Sequence, residues 1–136
     1  MTEKKKFSLK RKSILKLKLE IQELFANGKR TDNAFFYTLY HYVKNVPEGE
    51  FKVFFSVPKR LVHKANERNF VKRRLKEAFR LNFDELNKLC ANKNIRLFYG
   101  IVWNREYICE YKKIEENIIL SLQDIYNEIY ENLQNP

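Results

Sequence analysis

Lys64-Ala65-Asn66-Glu67-Arg68-Asn69-Phe70-Val71-Lys72-Arg73-Arg74-Leu75-Lys76-Glu77-Ala78-Phe79-Arg80 is the stretch on which the fold turns. At about 100° per residue, Val71, Leu75, Ala78 and Phe79 fall on one side of a helix and form an apolar stripe. Asn69, Lys72, Arg73, Lys76 and Arg80 fall together beside that stripe, with Arg68 at the seam. Asn66 has the chemistry of an N-cap, and Leu, Lys, Arg, Ala and Glu fill the next turns with good helix formers. The spacing predicts a helix from about Glu67 towards Leu86 or Leu89. Most charge runs are solvated faces. Here, however, nine Lys/Arg stand against two Glu between Lys59 and Arg80. Such a row repels itself unless an anion lies along it, so the stretch reads as a polyanion site.

Upstream, Phe51 to Val57 alternates as a strand, with Phe51, Val53, Phe55 and Val57 on one face, and Pro58 ends it before Lys59-Arg60. Ala34 to Val43 is rich in aromatic and β-branched residues and also reads as a strand. Phe36, Thr38, Tyr40 and Tyr42 share one of its faces; Phe35, Tyr37, Leu39 and His41 share the other. With the turn residues Pro47-Glu48-Gly49 between them, the two strands are predicted to pair as an antiparallel hairpin. From Ser13 to Asn27 the positions Ile14, Leu17, Ile21, Leu24 and Phe25 keep helical spacing, and Asn27-Gly28 supplies a stop. Lys29-Arg30 then sits just past a helix C-terminus, where cations are favoured. Downstream, Ile95 to Trp103 is almost continuously apolar and predicts a strand covered on both faces. Ile118, Leu122, Ile125, Ile129 and Leu133 mark a C-terminal amphipathic helix.

At 136 residues, 44% hydrophobic and without repeats, the chain is expected to form a single domain over residues 1–136, with residues 1–12 a mobile basic arm. The pattern predicts an α+β two-layer sandwich, a small mainly antiparallel sheet with helices packed on it. No apolar run approaches the roughly 20 residues of a membrane span, so a soluble protein is expected, and two cysteines outside any disulfide framework fit a cytoplasmic one. Cys90 and Cys109 match no zinc or redox spacing and read as reduced thiols. The net charge of +10 is uneven: +7 in residues 1–30, +7 in residues 59–80 and −4 in residues 105–136. One cationic surface facing a polyanion fits that asymmetry.

The inventory for autonomous catalysis is poor. Neither His41 nor His63 has metal-ligand spacing, and no Gly-rich phosphate loop, nucleophile elbow or spaced set of metal-binding carboxylates is present. No catalytic or metal-binding residue is therefore expected. The paired faces of large rings on the first strand leave open an aromatic surface of the kind that binds unstacked bases, beside the plainer reading as core.

The segment Ala65 to Arg80 closely resembles the signature helix of the bacterial ribonuclease P protein subunit. Phe55-Ser56-Val57-Pro58-Lys59-Arg60 is similar to that family's strand end, and Leu9-Lys10-Arg11-Lys12 and Leu24-Phe25-Ala26-Asn27-Gly28-Lys29 resemble its basic arm and first helix end. The resemblance runs in the same order through about residues 7–130 and rests on spacing rather than charge. Three departures stand out: Phe70 and Lys76 occupy positions of motif arginines, and Pro58 replaces a serine. Arg74, next to Phe70 around the helix, is placed to restore part of the lost charge.

The resemblance implies a ribosomal-protein-like α+β fold with a left-handed β-α-β crossover, which periodicity does not reveal. It implies a protein that assists an RNA enzyme in removing the 5′ leader of precursor tRNA, with Mg²⁺ held by the RNA. By position, Arg68, Asn69, Lys72, Arg73, Lys76, Arg80, Lys59 and Arg60 would face the catalytic RNA, and Lys10, Arg11 and Lys12 would form the arm. Phe25, Ile21 and Tyr40 would line the leader cleft, Tyr40 with a register uncertainty of one residue. The expected partners are ribonuclease P RNA and precursor tRNA, with no membrane and no DNA. A ribosomal or chaperone-like RNA-binding module would use the same helix. A DNA-binding regulator fits less well, since no helix at helix-turn-helix spacing precedes residue 67.

Overall fold

The computed structural model describes residues 18–134. The arm residues Lys10, Arg11 and Lys12, and the predicted start of the first helix at Ser13, lie outside the described residues.

Helix α1 (Lys18–Asn27) ends where the sequence places its stop: the Gly28 amide donates to the Leu24 carbonyl at 2.9 Å. A Cβ on Gly28 would sit 2.4 Å from that oxygen, so only glycine closes the helix in this way. The chain then enters strand β1 (Lys29–Asp32), which the sequence pattern does not predict. Lys29 and Arg30 are not simply dipole-complementing cations but edge-strand residues, paired antiparallel with Tyr40 and Leu39 of β2 (Phe36–Val43). Strand β3 (Glu50–Ser56) follows, then helix α2 (Ala65–Asn82), helix α3 (Asp84–Asn92), strand β4 (Arg96–Trp103) and helix α4 (Tyr111–Gln134).

The sheet order is β1-β2-β4-β3. This corrects the predicted hairpin: β2 and β3 are not neighbours, because β4 lies between them. It runs antiparallel to β2 and parallel to β3. The reason is burial. Every residue of β4 from Leu97 to Trp103 is buried: helix layers cover both faces of the sheet, and strands on either side close both edges of β4. The segment β3-α2-α3-β4 is thus a crossover between parallel neighbours. Two of the three pairings are antiparallel, and the helices lie on the sheet as expected for an α+β sandwich.

Side chains alternate across the sheet, and the two faces have different covers. Phe36 and Tyr40, Phe51, Val53 and Phe55, and Leu97, Tyr99, Ile101 and Trp103 form the larger core with α2, α3 and α4. Leu39, Phe54, Phe98 and Val102 form a smaller core against Leu24 of α1, with Ile21 and Tyr37 at its margin. On the larger side the stripe Ile114, Ile118, Leu122, Ile125 and Ile129 of α4 is buried as its spacing predicts, while Leu133 is only partly buried. The Tyr99 hydroxyl pairs with that of Ser121, fixing α4 along the strands.

Two helix boundaries differ from those the spacing predicts. Helix α2 starts at Ala65, with Lys64 as the capping residue and no side-chain cap, so Asn66 is helical rather than an N-cap. Nor does α2 continue to Leu86 or Leu89. The chain breaks at Phe83, whose ring stacks on Phe79 at 5.3 Å, and Asp84 and Glu85 open α3 with acids in its first turn. Leu86, Leu89 and Cys90 are the buried residues of α3, which packs against β3.

Candidate nucleic-acid interface

Helix α2 is fixed in rotation by its stripe. Val71, Leu75, Ala78 and Phe79 are fully buried. The Phe79 ring lies 5.6 Å from Phe51, 5.6 Å from Phe55 and 5.8 Å from Tyr99. With that side locked into the sheet, the neighbouring side faces outward. Asn66, Asn69, Lys72, Arg73 and Lys76 line one open hollow of about 490 Å³. No ion pair among the described residues involves Lys72, Arg73 or Lys76. Three cations without an ion pair among the described residues and two amides around one hollow supply the charge and the donors that phosphate oxygens require.

The other basic residues assigned to this face behave differently. Arg68 is half-buried and donates to the Val62 and His63 carbonyls at 3.0 and 2.7 Å. Together with the Pro58 carbonyl, which accepts the Leu61 and Val62 amides, it shapes the loop 57–64 that carries exposed Lys59 and Arg60 to the helix N-terminus. Arg68 is therefore first a clamp on that loop. Arg80 lies on the same face one turn beyond Lys76, but its guanidinium is hydrogen-bonded to the Glu77 carboxylate. That bond holds Glu77 below its ordinary carboxylate range. Arg74 brings its guanidinium to Phe70 but does not line the hollow. It turns away from the hollow, donating to the Cys109 carbonyl at 3.0 Å with its guanidinium 4.3 Å above the Phe70 ring.

The contrast between Arg68 and Arg73 makes a prediction. Arg68→Ala is expected to lower unfolding free energy by about 1–3 kcal/mol, the cost of losing charge-assisted bonds to two carbonyls. Arg73→Ala is expected to leave stability within about 0.5 kcal/mol of the parent. Urea titration of both variants decides it; equal stabilities would deny Arg68 its clamping role.

A second surface lies on the opposite face of the sheet, beside α1. Leu24 is buried there, Ile21 is half-buried and Phe25 is 50% exposed, its ring 5.7 Å from Phe54. The Phe54 ring lies over Gly100, where a Cβ would come within 2.2 Å of it. Lys52 pairs with Glu20 at 3.0 Å, tying β3 to α1, and the Arg96 guanidinium stands 5.4 Å from the Phe98 ring. Ile21 and Phe25 thus meet on one aromatic and cationic surface. Tyr40 is not part of it. It points to the other face, is 6% exposed and donates its hydroxyl to Glu128 at 2.8 Å. Burial and that carboxylate raise its pKa above the ordinary tyrosine value.

A shift of one residue flips a strand side chain to the far face, and Tyr40 is on the face opposite Phe25 and Ile21. The tyrosine on the α1 side is Tyr37, half-exposed, with the Arg30 guanidinium 3.8 Å from its ring centre. Its signal is present in the alternation, which groups Tyr37 with Leu39 and His41. Lys52, Arg96 and Arg30 carry no comparable signal, because their places depend on strand order.

A family model described as Ribonuclease P matches residues 9–106. A ribonuclease P protein component of Chlorobaculum tepidum is 33% identical over 94 residues, 67% of this chain and 61% of that protein. One from Onion yellows phytoplasma is 43% identical over 72 residues, 53% of this chain and 49% of that protein. The chain thus matches less than two thirds of the length of these relatives. Among solved structures, the Staphylococcus aureus RNase P protein superposes with a TM-score of 0.61 at 19% identity, covering 84% of this chain and 94% of its own. The Thermotoga maritima RNase P protein gives 0.57 at 21% identity, covering 81% and 94%. These likenesses show the same fold. Among the described residues, no helix is long and apolar enough to cross a membrane.

Proposed function

The chain belongs to the ribonuclease P protein family, and from that premise we propose that it binds a catalytic RNA and the 5′ leader of precursor tRNA, assisting endonucleolytic removal of the leader. The observation that carries this reading is the presence of two differently built RNA-competent surfaces on one small sheet. The α2 hollow, with Lys72, Arg73 and Lys76 unpaired, suits the phosphates of a folded RNA. The α1 side, with Phe25, Tyr37 and Ile21 on the same face as Arg96, suits an extended single strand, whose bases stack while a cation follows its backbone. Lys59 and Arg60 extend the first surface along the loop 57–64.

In this reading the protein makes no bond-breaking contact. It raises the affinity for precursor over mature tRNA and neutralises phosphate where two RNAs converge. In this reading Mg²⁺ is held by the RNA. The natural partners are then ribonuclease P RNA and precursor tRNA, in the cytoplasm where tRNA is matured.

Reconstitution with the cognate RNA across a Mg²⁺ series is the test. The protein alone should leave precursor tRNA intact, and the mixture should cleave at lower Mg²⁺ than the RNA does. Cleavage by the protein without RNA, or no change in the Mg²⁺ requirement, would overturn the proposal. Within the same assay, Phe25→Ala and Tyr37→Ala should each weaken precursor binding by about tenfold, in the range of one base stack removed, with little effect on mature tRNA. Tyr40→Phe should weaken neither. Equal losses for precursor and mature tRNA would return Phe25 and Tyr37 to a structural role.

A further inference from the structure

On the signature helix, one position carries an aromatic ring where the resemblance puts a cation. Phe70 is 37% exposed although the Arg74 guanidinium lies 4.3 Å over its ring. Arg74 is held in place from the other side by the Cys109 carbonyl at 3.0 Å, so the pair is a fixed element rather than two loose side chains. Asn66 and Arg73 are four residues before and three residues after Phe70, which makes them its neighbours on the helix surface. Both also line the phosphate hollow. An exposed ring, backed by a cation and bordering a phosphate receptor, has the composition of a nucleotide site: charge for the backbone and a flat apolar surface for the base.

Resting on the reading of α2 as an RNA-binding helix, we propose that Phe70, backed by Arg74, is a stacking platform for an unpaired base of bound RNA, with the adjoining phosphate in the hollow of Asn66, Asn69, Lys72, Arg73 and Lys76. The substitution at this position then changes what the helix reads. A motif cation would bind backbone in any paired or unpaired RNA; a ring selects a nucleotide whose base is out of a helix. The stacking is sequence-tolerant, since every base has a π face, and it is insensitive to salt.

The test uses the full chain carrying Phe25→Ala and Tyr37→Ala, so that the α1 surface offers no competing stack, with two probes, an octa-adenylate RNA and an abasic sugar–phosphate oligomer of the same length. Phe70→Leu keeps the apolar volume and removes the ring; it should lower octa-adenylate affinity about tenfold, leave the abasic oligomer unchanged and leave the salt slope unchanged. Phe70→Trp should retain affinity and report directly. Trp103 is fully buried, so the new indole would be the exposed emitter, quenched by octa-adenylate and not by the abasic oligomer. Equal losses of both probes in Phe70→Leu, or binding of octa-adenylate without quenching in Phe70→Trp, would overturn the platform. Base-dependent quenching in a protein that fails reconstitution would keep this inference and remove the ribonuclease P reading; reconstitution without quenching would do the reverse.

Discussion

Replacing Lys72, Arg73 and Lys76 together by glutamine is expected to lower affinity for an RNA bound in the hollow by about 1,000-fold at moderate salt, taking roughly 1.5 kcal/mol for each charge-assisted bond to phosphate that is removed. The slope of log affinity against log salt should become shallower by about 2–3, close to one counterion released per neutralised phosphate. The fold should survive. All three side chains are outside the buried stripe, glutamine favours helix about as well as lysine and arginine, and self-repulsion along the row is relieved. Filter binding from low to high salt, with circular dichroism as the fold control, gives both readings. An unchanged slope in a folded variant would show that the hollow does not hold phosphate.

The other large effect is in the core. Phe79→Ala should cost about 3–5 kcal/mol of unfolding free energy, the usual range for truncating a buried aromatic residue. Domains of this size are stable by only about 5–15 kcal/mol, so the variant is expected to be partly unfolded near physiological temperature. Phe79 is fully buried among the rings of Phe51, Phe55, Phe83 and Tyr99, and no neighbour can close the space without leaving its own packing partners. It is also the residue that fixes the rotation of α2, so RNA affinity should fall with stability although Phe79 touches no RNA. Chemical denaturation checks the first point; a loss below about 1 kcal/mol would mean the cluster repacks.

The helix α2 was legible because two local signals agree. Its stripe at helical spacing and its row of unopposed cations are both read from side chains within five turns. The strand pairing was not, because the Pro47-Glu48-Gly49 turn suggests a hairpin on local grounds and says nothing of β4. The corrective was nevertheless in the chain: a strand apolar on both faces, Leu97 to Trp103, belongs in the middle of a sheet. Tyr40 and Tyr37 show the same limit at the scale of one residue. Alternation separates the two faces of β2, but only the seat of α1 says which face carries Phe25 and Ile21. Arg68, Arg74 and Arg80 show a third limit. Helical projection gives their direction, while their long side chains choose partners such as the Val62, His63 and Cys109 carbonyls and Glu77, which only the folded chain brings near. The outcome separates basic residues with an electrostatic task from basic residues that are chiefly braces.

The sheet has one helix layer on each side, with α1 over Leu39, Phe54, Phe98 and Val102 and α2 over Phe51, Phe55 and Tyr99. The α1 surface and the α2 hollow therefore share no side chain, and a full layer of packed backbone separates them. Changes that far apart without common partners combine additively in free energy. Under the proposed function, substitutions at Phe25 or Tyr37 would retune the grip on a leader strand while docking of the larger RNA stayed as it was, and the two affinities would drift independently.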